Sequence, residues 1–354
     1  MICASLMTCG PLRKTTGCAC RAPADSMQKS GFSHTRAGPM HIPDGFIDLH
    51  TAAVTAVLAG VGIAIALRDV RRRLPSRRVP LIGLAAAFVF AAQMLNFPVA
   101  AGTSGHLIGA VLVCVLLGPA AAVIVMTTVL VLQCLMFADG GVTALGANVL
   151  NLGVIAPTVG YAVYTAVRRI GPRGLRTLLL AAGFAAWCST LAAALACAVQ
   201  LAASGTVPLN LALPAMSGVH MLIGLGEAVI TMLVVAVIAR ARPELIDGID
   251  SGPMSHRALL TFGGFATLAL LVFVAPVASS LPDGLHWVAG RLDFAQRSTT
   301  LQSAPFDGYS LEMAVATPGV ATVLAGLIGA AIAFAIAWLV ARALTPANRS
   351  PGTR

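Results

Sequence analysis

Residues Val320–Leu344 read VATVLAGLIGAAIAFAIAWLVARAL, an apolar run with a single charge, at Arg342. A helix needs about 20 apolar residues to cross about 30 Å of hydrocarbon, so this run predicts a membrane-spanning helix. The run Ala258–Ser280 has the same character. Of the 354 residues, 58% are hydrophobic and only 10% are charged, whereas soluble domains carry roughly a quarter charged residues. This composition excludes a soluble globular protein and predicts an all-α, polytopic membrane protein.

Nine runs along the chain are predicted to be membrane-spanning helices. They lie near 47–67, 80–101, 106–117, 119–137, 148–167, 177–202, 213–239, 258–280 and 317–343. Only Gly118–Pro119 separates the third run from the fourth, and this pair breaks helices. One of those two runs therefore stays open to interpretation as a partial or re-entrant segment, which would make the count eight.

The placement of the arginines predicts the orientation. A formal charge of +10 would suggest nucleic-acid binding in a soluble protein, but here nearly every arginine lies in a short loop between apolar runs. Basic residues in such loops stay cytoplasmic. With nine spans, the C-terminus falls on one side together with the loops that hold Arg68–Arg78, Arg168–Arg176 and Arg240–Arg257. We therefore expect a multi-pass inner-membrane protein with a cytoplasmic C-terminus, outward Met40–His50 and Thr103–His106 segments, and no nucleic-acid partner.

The first 39 residues differ from the rest of the chain. They hold the only lysines, Lys14 and Lys29, and half of the eight cysteines, but no apolar segment typical of a signal peptide. The favoured interpretation is a non-native extension from an upstream start codon, with translation beginning at Met40. A disordered basic tail is the alternative. A four-cysteine metal site there has little support, because only Cys18 and Cys20 are close together.

A chain that begins at Met40 would have a histidine, His41, as its second residue. The free amine, the deprotonated backbone nitrogen of His41 and its imidazole can close a five-membered and a six-membered chelate ring around one metal. Square-planar nitrogen sites suit divalent nickel or copper, and imidazole also suits cobalt. Two residues would thus supply three nitrogens, and a fourth donor is missing.

His106 is the expected fourth donor. It lies at the start of the third run, on the same outward side as His41 by the arginine pattern. Thr103 and Ser104 offer hydrogen bonds that fix the tautomer of an imidazole. A single loop histidine is more often structural, but its shared side with the predicted chain start favours a ligand.

Four motifs carry a resemblance to a known family. They are Met40-His41-Ile42-Pro43-Asp44-Gly45, Gln93-Met94-Leu95-Asn96-Phe97-Pro98-Val99, Gly102-Thr103-Ser104-Gly105-His106-Leu107 and Asp139-Gly140-Gly141-Val142-Thr143-Ala144-Leu145-Gly146-Ala147-Asn148. In order, from Met40 to about Arg242, they resemble the CbiM/NikM family. These proteins are the metal-specific membrane subunits of energy-coupling factor transporters for cobalt and nickel.

The resemblance implies a function and a set of residues. Co²⁺ or Ni²⁺ would be the transported substrate, with no organic cofactor, held by Met40, His41 and His106. A transmembrane coupling subunit and two cytoplasmic ATPases would be the partners, within the lipid bilayer. Asn96, Asp139 and Asn148 would support the metal ligands, although polar residues beside helix ends are often caps. An upstream extension departs from the family, because a Met40 inside a chain has no free amine.

The C-terminal segment Leu281–Ala289, which contains Pro-Asp-Gly-Leu, resembles the outward loop of the small NikN/CbiN-like accessory subunit, fused here as two extra helices. His286 stands where that family usually has glutamate. It would either pass metal inward or be an ordinary loop residue. The expected organisation is therefore a seven-helix metal-binding core at 40–245, a cytoplasmic linker at 246–257 and an accessory region at 258–354.

Two ionisable residues lie inside the seventh run. His220 and Glu227 are seven residues apart and so share one helix face. Such residues are costly in a membrane and are functional candidates. The sequence gives no physical reason to make them ligands, so we expect structural or coupling roles.

Other activities fit the sequence less well. The chain has no phosphate-binding Gly-x-x-x-x-Gly-Lys-Ser/Thr motif, so ATP hydrolysis would fall to partner subunits. An ion-coupled secondary permease for divalent metals is the alternative, but it should show ionisable residues in several spans and often an internal repeat. A membrane metalloprotease would need His-Glu-x-x-His, which is absent. We therefore predict a transport subunit and not an enzyme.

Overall fold

The computed structural model describes residues 40–246, 255–311 and 317–345. The predicted extension at 1–39, most of the predicted linker at 246–257 and the end of the accessory region, 346–354, lie outside these ranges. The described residues are mostly helical. Their main elements, in chain order, are α1 (Leu49–Arg73), α2 (Val79–Gln93), β1 (Asn96–Pro98), β2 (Ser104–His106), α3 (Ala110–Leu117), α4 (Pro119–Phe137), α5 (Leu145–Asn148), α6 (Ala156–Ile170), α7 (Leu175–Ala203), α8 (Leu209–Ala241), α9 (His256–Ala269), α10 (Gly284–Arg291) and α11 (Pro318–Leu344).

The predicted class, an all-α polytopic membrane protein, is confirmed. Within the described residues, seven helices are long and apolar enough to cross a membrane. They are Leu49–Arg73, Pro119–Phe137, Leu145–Ile170, Leu175–Ala203, Leu209–Ala241, His256–Val277 and Gly319–Leu344. The third of these includes a π-helical stretch, Val149–Ile155, between α5 and α6.

The second and third predicted runs form shorter helices than expected. The run predicted at 80–101 ends as a helix at Gln93, and the run predicted at 106–117 becomes helical only at Ala110. An antiparallel hairpin lies between them and pairs Asn96 with His106 and Pro98 with Ser104. Apolar composition alone does not reveal such a hairpin. The predicted break between α3 and α4 is present, because Gly118 has a φ of 83° and Pro119 begins α4.

The loops that contain the candidate ligands meet at one end of the helix bundle. Thr206 Oγ1 donates to the Phe46 carbonyl at 2.6 Å, and the Ser279 N–H donates to the Asn96 carbonyl at 2.8 Å. The Thr299 N–H likewise donates to the Asp44 carbonyl at 2.9 Å. Because α1, the continuous helix Leu145–Ile170, α8 and α11 begin near these loops, their arginine-bearing C-terminal turns lie at the opposite end.

The two C-terminal helices pack against α2, so that nearly every residue of α2 is buried. Small residues allow the close approach. A methyl group at Gly83 would lie 3.1 Å from the Phe334 ring on α11, and one at Gly263 on α9 would lie 2.1 Å from Leu84. Small residues are the usual means by which helices approach closely in a membrane. The accessory helices are therefore integrated with the core.

Candidate metal centre

The segment that begins at Met40 is fixed by α5 and by the loop between α4 and α5. The Asn148 side chain makes a reciprocal pair with the Ile42 backbone, accepting from its N–H and donating to its carbonyl, both at 3.0 Å. Asp44 Oδ1 accepts from both the N–H and the hydroxyl of Thr143, at 2.8 and 2.6 Å. These contacts fix the direction in which Met40 and His41 point.

Three nitrogens converge on one oxygen of Asp139. Its Oδ1 lies 2.6 Å from the Met40 nitrogen, 3.3 Å from the His41 backbone nitrogen and 3.0 Å from His41 Nδ1. The other oxygen, Oδ2, accepts from the Tyr309 hydroxyl. Burial works to raise the pKa of Asp139, but the His41 ring and the hydrogen bonds from His41, Tyr309 and Met40 lower it more, so this pKa is well below its usual range. A carboxylate thus stands where the three predicted chelating nitrogens point.

The His106 ring faces that of His41, with ring centroids 5.5 Å apart and an angle of 58° between the planes. His106 Nδ1 lies 3.3 Å from Asp283 Oδ1, and Nε2 is buried without a hydrogen-bond partner. Burial works to lower the pKa of His106, but the Asp283 carboxylate raises it more, and the net shift is upward. A carboxylate at Nδ1 favours the tautomer whose free Nε2 lone pair can bind a metal.

A cavity of about 70 Å³ lies against these rings, lined by residues that include His41, His106, Asn151, His220 and Asp283. His41 Nε2 is also buried without a partner. Among the residues that the structure describes, no group of three His, Cys, Asp or Glu side chains could hold a metal ion. The nitrogen donors beside the cavity are two imidazoles and the neighbouring main-chain nitrogens, a donor type that suits nickel or cobalt.

Three other residues were predicted to support the metal ligands, and they make different contacts near the site: Thr103, Ser104 and Asn96. Thr103 and Ser104 do not bond to an imidazole; their hydroxyls donate to the carbonyls of Pro282 and Leu281, at 3.1 and 2.7 Å. These bonds hold the loop that carries Asp283. The backbone of Asn96 pairs with His106, but its buried side-chain oxygen has no partner.

His220, Glu227 and His286 occupy separate positions. His220 lines the cavity, and its Nδ1 lies 2.8 Å from the Met216 carbonyl. Glu227 accepts two backbone N–H groups just after His106. His286 packs beside the Phe46 ring, with centroids 5.9 Å apart, and neither of its ring nitrogens has a hydrogen-bond partner.

Sequence reasoning missed the residues that contact the candidate ligands from far along the chain. Asp283 was visible as part of the Pro-Asp-Gly-Leu segment, but nothing in the sequence pointed it at His106. No signal singled out Tyr309. Asn151 and Gln200, which exchange two hydrogen bonds of 2.8 and 2.7 Å between the π-helical stretch and α7, were equally hidden as a pair.

Comparison with known proteins agrees with this architecture. Residues 41–245 match the family model of the cobalt uptake substrate-specific transmembrane region, and residues 257–346 match the PDGLE domain. The fused nickel transport protein NikMN of Rhodobacter capsulatus is 35% identical over 273 residues, which cover 73% of this chain and 78% of that protein. The cobalt transport protein CbiM of Sorangium cellulosum is 35% identical over 218 residues, 59% of this chain and 95% of that protein.

Solved structures also match. The crystal structure of a truncated transition metal transporter superposes with a TM-score of 0.52 at 36% identity. The match covers 57% of this chain and 99% of that one.

Proposed function

Because this chain belongs to the family of the cobalt uptake substrate-specific transmembrane region, fused to a PDGLE domain, we propose that it captures Co²⁺ or Ni²⁺ for import. The metal would bind at the outer end of the helix bundle, where the candidate ligands meet. The four nitrogens of the proposed site accept either ion. The main support is the convergence of the Met40 and His41 nitrogens on one point, facing a His106 ring with a free Nε2.

Metal binding would replace the contacts between the chelating nitrogens and Asp139 with bonds from those nitrogens to the metal. The metal would take the three nitrogens that now surround Asp139 Oδ1, and His106 Nε2 would complete the set. Asp139 would remain charged beside the metal, and the protons released from the nitrogens would pass to solvent, since ligands must be deprotonated to bind. The chelate requires a free amine, so the proposal includes a mature chain that begins at Met40.

Import would need partners. We propose a transmembrane coupling subunit and two cytoplasmic ATPases, with the arginine-bearing helix ends on the cytoplasmic side and the metal site outside. ATP hydrolysis by the partners would reorient the loaded protein and release the metal inside. In this arrangement the chain itself is a capture subunit without enzymatic activity.

The first experiment measures the intact mass of the purified protein and its bound cobalt and nickel, followed by competition titrations with a chelator. We expect a chain that starts at Met40 and binds about one metal. His106→Ala should weaken binding by more than the roughly 100-fold that loss of a supporting residue costs. His50→Ala is the control, because His50 is exposed on the first turns of α1. Unchanged affinity in His106→Ala, or metal bound by a chain with an intact upstream extension, would refute the proposed ligand set.

A second experiment measures uptake of radioactive nickel or cobalt in cells with and without the ATPase subunits. Uptake that depends on the ATPases supports the proposal. Uptake that persists without them, and that collapses when the proton gradient is dissipated, would identify an ion-coupled secondary permease instead.

A further inference from the structure

The start of α3 is an unusual helix N-terminus. Gly109 precedes the helix with a φ of 76°, and no side chain from its own segment caps the first turn. The first N–H groups of any helix have no partner within the helix, and inside a membrane they cannot turn to water. His106 lies only three residues before Gly109, so whatever holds this turn also holds the candidate ligand.

Glu227, in the middle of α8, binds the two backbone N–H groups that come just before α3. Its Oε2 accepts the Ile108 N–H at 2.7 Å, and its Oε1 accepts the Gly109 N–H at 2.9 Å. The side chain is buried, with 2% of its surface exposed. Hydrogen bonds to a carboxylate are about twice as strong as those between neutral groups, and a negative charge is favoured at a helix N-terminus. Both oxygens of Glu227 are therefore used to fix the backbone beside His106.

The same face of α8 supports the hairpin that carries His106. A methyl group at Gly105 would lie 2.5 Å from Cγ2 of Ile223, and one at Gly226 would lie 2.4 Å from the Phe97 ring. From the opposite side, Gln93 Nε2 donates to the Ile108 carbonyl at 2.9 Å. The backbone of His106 is thus held between α8 and α2.

We propose that Glu227 is a positioning residue for metal binding. By holding the N–H groups of Ile108 and Gly109, it fixes the backbone of His106 and aims the free Nε2 at the site. The inference rests on the proposed function, because it assumes that His106 is a ligand. Glu227 itself does not touch the metal, since both its oxygens are already engaged.

The test compares Glu227→Gln with Thr231→Val in the full chain, purified in detergent and loaded with nickel. Glutamine has nearly the same shape, but it can accept only one of the two bonds and turns an NH₂ group toward the other N–H. Thr231 lies one helical turn further along α8 and is equally buried, but its hydroxyl makes no hydrogen bond to the segment around His106. We expect Glu227→Gln to weaken nickel affinity about 10- to 100-fold and to change the visible absorption of bound nickel. Thr231→Val should match the parent protein in both.

The absorption spectrum separates positioning from general stability, because a purely structural residue would lower the melting temperature without altering the ligand field. Unchanged affinity and spectrum in folded Glu227→Gln would overturn the inference. If that variant does not fold, Glu227→Asp decides, since it keeps the charge but shortens the reach; binding like that of the parent would overturn the inference. Failure of the parent protein to bind nickel or cobalt would instead refute the proposed function.

Discussion

Asp283→Asn should change the metal site in two measurable ways. Asp283 Oδ1 lies 3.3 Å from His106 Nδ1, and the loop that carries it is fixed by the hydroxyls of Thr103 and Ser104. Asparagine preserves the size of the side chain but removes the charge that holds His106 in one tautomer. Loss of such a partner costs about 10- to 100-fold in metal affinity. This factor corresponds to about 1.4 to 2.7 kcal/mol of binding free energy.

The second change is in pH dependence. A metal binds only neutral imidazole, so affinity falls as the pH drops through the pKa of the ligand histidine. In the parent protein burial lowers the pKa of His106 and Asp283 raises it more, so the fall should begin above the ordinary value of 6.5. Without the carboxylate, burial dominates and the pKa falls. The variant should therefore bind more weakly at high pH but keep its affinity to a lower pH.

The stability of the metal-free fold depends on pH in the opposite direction to metal binding. A histidine whose pKa is raised in the folded state contributes stability that is fully present below its unfolded pKa and is lost as the pH rises through the folded pKa. Removing Asp283 should therefore destabilise the metal-free protein more at acid pH than at alkaline pH. Thermal unfolding across this range checks the expectation.

The assay is a nickel competition titration of the parent protein and the variant between about pH 5 and about pH 8. Asp293→Asn is the matched control, because Asp293 is exposed just after α10 in the same region of the chain. An unchanged affinity at high pH together with an unchanged midpoint would refute the role assigned to Asp283.

Two further predictions concern the supports of the site. Tyr309→Phe leaves a buried oxygen of Asp139 without its donor and should lower the free energy of unfolding by about 1 to 3 kcal/mol, as measured by thermal unfolding; a stability equal to that of the parent would contradict this. Gly105→Ala places a methyl group 2.5 Å from Ile223, so it should destabilise the protein by about 1 to 3 kcal/mol and weaken metal binding, whereas Gly60→Ala, where no atom lies within 4 Å, should do neither.

The sequence predicts the long helices well because hydrocarbon thickness imposes a minimum length on each apolar run. The limits of α4 agree with the predicted 119–137, and the break before it follows from Gly118 and Pro119. The hairpin between α2 and α3 was not predicted from the sequence. Phe97, Val99, Leu107 and Ile108 are as apolar as helix residues, but Pro98, Gly102 and Gly105 between them disfavour a helix. The pairing of the two strands and their packing against α8 are tertiary features that apolar composition does not encode.

The candidate site also has features that the sequence predicts and features that it does not. Counting spans and arginines predicts that His41 and His106 lie on the same side of the membrane, and the structure brings their rings together. The carboxylates against them come from sequence separations that local patterns do not encode. Asp139 lies 98 residues from His41, and Asp283 lies 177 residues from His106. Only folding reveals which acidic residue faces which histidine.

The charges around the proposed site explain why two of these contacts come from the accessory region. A divalent cation held by three neutral nitrogens and one deprotonated amide nitrogen would still bring net positive charge into a buried setting, at a large cost in solvation. Asp139 and Asp283 are both buried at the site, and their pKa values are lowered despite burial, so both are charged at neutral pH. Together they offset the positive charge that the nitrogen ligands leave on the metal. The accessory region supplies one of these charges directly through Asp283 and orients the other through the Tyr309 hydroxyl, so its loop belongs to the electrostatics of the site and not only to the packing of the bundle.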